Sequence, residues 1–102
     1  MTFHPQKRKV LFGLGQTYAT PAALACIQRA QLSVHALLAE HQAGIWGDVD
    51  DEDAKANEHA VTTGARILSV RHLGVERAYI ITEAEDDDGV RSATTILLCR
   101  EY

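Results

Sequence analysis

The chain has 102 residues, enough for one domain with a single buried core. Its 46% hydrophobic and 24% charged content fits a globular protein rather than a disordered one, and no apolar run approaches the roughly 18–20 residues of a membrane helix. The net charge of −4 gathers as acid at positions 48–58 and 83–88, opposite a short basic patch of Lys7, Arg8 and Lys9. Nucleic acid and membrane are therefore not expected partners, and an electrostatic partner would be a protein with a basic surface.

Residues 1–9 read as a flexible start, and no apolar stretch with a cleavage site follows their basic cluster, which points to a cytoplasmic protein. Residues 10–14 are apolar and β-prone and predict a loosely formed strand or extended arm. Gly13 and Gly15 suggest bends or close backbone contact there, because a phosphate loop would need a lysine at the end of its glycine spacing. Thr20-Pro21 is a strong helix start, with threonine as N-cap and proline at the first helical position. Cys26 falls in that helix and Cys99 in a later apolar strand, so both are expected as buried free thiols.

Ser33 opens a second helix by capping the amide of Ala36, with Leu32 and Leu37 placed as a hydrophobic staple. Val34, Leu37, Leu38 and His41 share one face of it, and Gly44 terminates it. The two short helices resemble a helix-turn-helix in outline, but the second carries no Arg or Lys to meet phosphates. A third helix begins at Asp50, where Asp50 and Asp53 are spaced as a capping pair and Asp51 and Glu52 complement the helix dipole. It ends at Gly64, and Asn57 lies on its inward face in need of a hydrogen-bond partner.

Residues 66–73 and 77–83 predict two strands joined by a Gly74-centred turn, and 90–99 a third strand after the acidic turn at 85–89. In the first of these Leu68, Val70 and His72 share one face and Ile67, Ser69, Arg71 and Leu73 the other. Short connections imply an antiparallel meander. The expected fold is a single α+β domain, with three short helices on one face of a three- to four-stranded antiparallel sheet. Homodimerisation through an exposed edge of the last strand is a further expectation.

The segment 48–53 holds five carboxylates, yet no calcium loop fits it. The sixth position is Asp53 where glycine is needed, and the twelfth is His59 where a bidentate glutamate is needed. Zinc spacing is also absent, so neither metal nor cofactor is expected. Acid–base chemistry has four candidates in His41, Asp48, His59 and Glu83. A carboxylate near His41 would raise its pKa, and such a cluster beside Arg71 could cleave a phosphodiester. The spacing fixes no nucleophile–base geometry, which favours a non-enzymatic protein. The binding candidates are Trp46, Gly47, Asp48 and Asn57. Trp46 reads either as a core plug, its indole N–H bonded to a backbone carbonyl, or as an interface hot spot.

Several segments together carry a resemblance: residues 15–21 (Gly-Gln-Thr-Tyr-Ala-Thr-Pro), Trp46-Gly47-Asp48 with 50–57, 64–69 (Gly-Ala-Arg-Ile-Leu-Ser), 80–84, 94–98 and Glu101-Tyr102. Taken jointly, the chain from Gly15 onward resembles a family of small bacterial proteins encoded on plasmids and integrated mobile elements, described as plasmid-related. Some members carry a label naming a type I restriction modification subunit, but this chain lacks a methyltransferase's glycine-rich cofactor loop. It also departs from the family pattern in its longer acidic turn at 85–89. The resemblance implies a mobile-element accessory protein and brings no activity with it. Two readings stand: a binding protein using an acidic face on a protein partner, and a small nuclease or toxin-like enzyme built on the four acid–base candidates.

Overall fold

A computed structural model describes residues 9–102; the expectation of a flexible start falls largely outside them. The element order is β1 (Gln16–Ala19), α1 (Pro21–Arg29), α2 (Val34–Gln42), α3 (Asp51–Thr63), β2 (Ile67–Leu73), β3 (Glu76–Thr82), β4 (Ala93–Leu98) and a closing 3-10 turn at Cys99–Glu101. The α+β class is as expected, and the helix starts are where the sequence puts them. Thr20, Ser33 and Asp50 accept hydrogen bonds from the amides of Ala23, Ala36 and Asp53. Gly64 closes α3 with φ of 85°, the left-handed turn that a residue with a side chain adopts at a cost. No single helix among the described residues is long and apolar enough to cross a membrane; α1 and α2 meet at an angle of 101°.

The sheet corrects two expectations. Its order is β1-β4-β3-β2, with β2, β3 and β4 antiparallel but β1 parallel to β4. The first strand lies at 16–19, not at 10–14, and the sheet is mixed rather than a pure meander. The reason is Gly15. Its φ is 65°, and a Cβ there would lie 2.4 Å from the Arg91 carbonyl oxygen, so only glycine lets the chain close onto β4. With two helices and α3 between them, β1 and β4 can pair in parallel without a tight turn. The last strand is consequently internal. Its edge cannot carry a homodimer, because β1 occupies it.

Helices α1 and α2 bury one sheet face. Ala23, Cys26, Ile27, Leu37 and Leu38 pack on Leu73, Ala78, Ile80, Ile96 and Leu98. Cys26 is buried as expected, whereas Cys99 is only partly so; both are free. Helix α3 lies beside β2, with Phe12, Trp46, Ala60 and Ile67 forming a second cluster. The outer edge of β2 is covered from there: the Asn57 amide donates to the Leu68 carbonyl at 2.8 Å and accepts from its N–H at 3.1 Å. Further along, Val70 donates to the Trp46 carbonyl at 3.0 Å and accepts from the Asp48 N–H at 2.8 Å. A side chain and a short bridge thus stand in for a fifth strand.

Candidate functional site

The four acid–base candidates occupy different environments. His41 is fully buried under α2. Asp48 is exposed, with one carboxylate oxygen 3.1 Å from His72 Nε2 and 4.0 Å from Arg77 Nη1. His59 is exposed on α3, and Glu83 is exposed after β3, where its backbone carbonyl accepts from Arg91. Arg71, the suggested basic helper, is paired with Glu40 at 2.5 Å. Asp48 lines the cleft described below. No group of three or more His, Cys, Asp or Glu side chains among the described residues forms a metal-holding cluster.

His41 lies inward with Leu37 and Leu38, as its place on that face of α2 implies, but its partners were not legible in the sequence. Thr94 Oγ1 donates to the Leu14 carbonyl at 2.8 Å and lies 2.6 Å from Thr82 Oγ1, so the Thr82 hydroxyl donates to Thr94. With that proton committed, Thr82 accepts from His41 Nε2 at 2.9 Å. The remaining nitrogen, Nδ1, then accepts from the Ser69 hydroxyl at 2.5 Å. The chain of donors assigns a neutral ring protonated at Nε2. Burial, with a smaller contribution from the Arg91 cation, pushes the imidazole from an ordinary 6.5 down to about 4. This corrects the expectation of a carboxylate-raised pKa. A Ser–His pair at this distance has the contact of a nucleophile and its base, but both residues are wholly buried and no substrate can reach them.

Trp46 is a plug. It is 6% exposed, stacks on Phe12 with centroids 6.2 Å apart, and meets the His41 ring edgewise at 6.0 Å. Its indole N–H donates to the Glu58 carboxylate at 3.0 Å, not to a backbone carbonyl. Arg91 closes the same cluster. Its guanidinium lies 5.6 Å from the Phe12 ring centroid and donates to the carbonyls of Ala60, Ala65 and Glu83. Ala60 belongs to the last turn of α3, where a cation meets the negative end of the helix dipole. No signal in the sequence separates Arg91 from a surface arginine beside an acidic turn.

The other three binding candidates converge at the opposite side of β2. Asp48 and Asn57 line an open cleft of about 560 Å³ between the start of α3 and the sheet face that α1 and α2 leave uncovered. Gly47 makes its corner: its φ is 78° and a Cβ would lie 2.0 Å from the Val70 carbonyl oxygen. Asp50 and Asp53 extend the acidic wall. Arg66 and Arg77 stand on the sheet side, over a floor of Leu68, Val70 and Tyr79. The aromatic surface continues to Tyr102, whose ring packs edgewise on Tyr79 at 5.4 Å and lies beneath Arg66.

Sequence reasoning missed this sheet-side wall, although a signal was present. A strand with one solvated face alternates apolar and polar residues. In β2 and β3 both faces carry buried apolar residues: Val70 and Ile81 point away from α1 and α2 and are still only 7% and 5% exposed. Comparison with family models, with curated proteins and with solved structures finds no match to this chain.

Proposed function

We propose that the protein is a non-enzymatic protein-binding module whose docking face is the sheet surface opposite α1 and α2, together with the cleft along α3. The observation that carries this reading is the partly exposed apolar run of Leu68, Tyr79 and Leu97, with the exposed Tyr18 and Tyr102, on or beside the sheet face opposite α1 and α2. Aromatic residues on an open surface, rimmed by charge, are the make-up of interface centres. The wholly buried His41 and the separation of Asp48, His59 and Glu83 weigh against the nuclease reading.

An accessory role for a plasmid or integrated element is the setting that the sequence resemblance suggests. The rim also refines the chemistry of the partner. A purely basic segment would meet Arg66 and Arg77, and a purely acidic one would meet Asp48, Asp50 and Asp53. The surface it receives therefore carries both signs around an apolar centre. Capture from host lysate followed by cross-link mapping tests the reading. Wild type is expected to cross-link through the cleft, and Tyr79→Glu is expected to lose the captured protein. Retention by Tyr79→Glu, with cross-links confined to α1 and α2, would overturn it.

A further inference from the structure

We infer that the protein holds a separate small-molecule site, a pocket between Arg91 and Glu85 that takes a free α-amino acid with an apolar side chain. The pocket has a volume of about 370 Å³ and shares no lining residue with the cleft of the docking face, so the inference stands apart from that reading. Its size is near the lower end of small-ligand sites, roughly 300–1,000 Å³.

The charges point to the ligand. Arg91 is 5% exposed and makes no ion pair among the described residues. Carbonyl dipoles and the Phe12 ring solvate its guanidinium but leave a full unit charge uncancelled, which is costly in a protein interior. Nη1 donates twice and Nη2 once, so Nε–H and one Nη2–H remain without a partner among the described residues. Two such donors suit the two oxygens of a carboxylate. Glu85 is the complementary group. It is the β-bridge partner of Arg91, yet the two charges form no ion pair. Its carboxylate lies against Gly64, the C-cap of α3, where the negative end of the helix dipole gives an anion no support. A cation and an anion thus line one pocket without meeting. A ligand with a carboxylate and an ammonium on one carbon satisfies both, and its side chain is received by Leu11, Val61 and Val90.

Gly13 fits the same account. Its φ is not positive and a Cβ there would meet nothing within 4 Å, so neither backbone conformation nor packing calls for glycine. What the missing side chain leaves is an uncovered stretch of pocket wall, which a ligand can approach closely.

The test is a titration of the full chain with L-leucine, with isocaproate (leucine without its amino group) and with isoamylamine (leucine without its carboxylate), followed by the amide resonances of Gly13, Val61 and Gly89. The carboxylate is removed from the ligand and Arg91 is left in place, because Arg91 holds three carbonyls of the fold. L-Leucine is expected to shift these resonances saturably, and each truncated compound to bind at least about tenfold more weakly. Glu85→Gln, at an exposed position, is expected to abolish the preference for L-leucine over isocaproate while keeping that over isoamylamine; a thermal melt checks that it folds. No saturable shift with L-leucine overturns the inference. So does equal binding of the three compounds, or a preference over isocaproate that Glu85→Gln leaves intact.

Discussion

Replacing His41 with glutamine removes a titrating group from the core while leaving one donor and one acceptor at its position. In the native protein the imidazole is held neutral, with a pKa of about 4 against an ordinary 6.5. The folded pKa is depressed, so the unfolded chain takes up the proton first. Stability from this group is complete above about pH 6.5 and is lost as pH falls toward 4. The linkage amounts to about 2 kcal/mol by pH 5 and about 3 kcal/mol by pH 4. Urea denaturation of wild type and His41→Gln across this range isolates the contribution, since the carboxylates and the exposed histidines are common to both proteins. At neutral pH the variant is expected to be less stable by about 1–3 kcal/mol, from imperfect bonds to Ser69 and Thr82 and lost packing on Phe12 and Trp46. The two stabilities should then converge on acidification. Parallel stability–pH curves would refute the reasoning, and so would a native imidazole that titrates near 6.5 by NMR.

Asn57→Ala is expected to cost about 1–3 kcal/mol and to speed hydrogen exchange at the Leu68 amide, because both main-chain groups of Leu68 lose their partner. Gly47→Ala should destabilise by about 3 kcal/mol or more, since its Cβ would overlap the Val70 carbonyl. Gly74→Ala, at a φ of 71° in open space, should cost only about 1–2 kcal/mol in the same denaturation assay. Wild type is expected to leave RNA and DNA uncut with or without divalent metal; cleavage that disappears in Asp48→Ala or His59→Ala would restore the enzymatic reading.

Local signals in this sequence carried far. Thr20-Pro21, Ser33 and Asp50 mark three helix starts that the structure reproduces, because a cap and the amide it satisfies lie within one turn. The inward Asn57 was legible from helical periodicity, and its strand partner was not, because Leu68 meets it only through the tertiary fold. The first strand was misplaced for a similar reason. Residues 10–14 are the more β-prone, but pairing is decided by where Gly15 lets the chain approach β4. His41 is the sharpest case. A histidine at a helix C-terminus reads as a cation beside the dipole, whereas here four hydroxyl and ring groups from α2, β2, β3 and β4 join into one buried chain. The cleft was half legible: Asp48 and Asn57 line it beside the Gly47 corner, while Trp46 turns away into the core and Arg66, Arg77 and Tyr79 arrive from the sheet side.

Hydrogen exchange of the protein in its bound state, against the dilute free chain, tests most directly the claim that function resides on the uncovered sheet face. New protection is expected in β2, β3 and the first turns of α3, around Val70, Tyr79 and Asp53, with α1 and α2 unchanged. Protection confined to α1 and α2, or to the β1 edge, would contradict it.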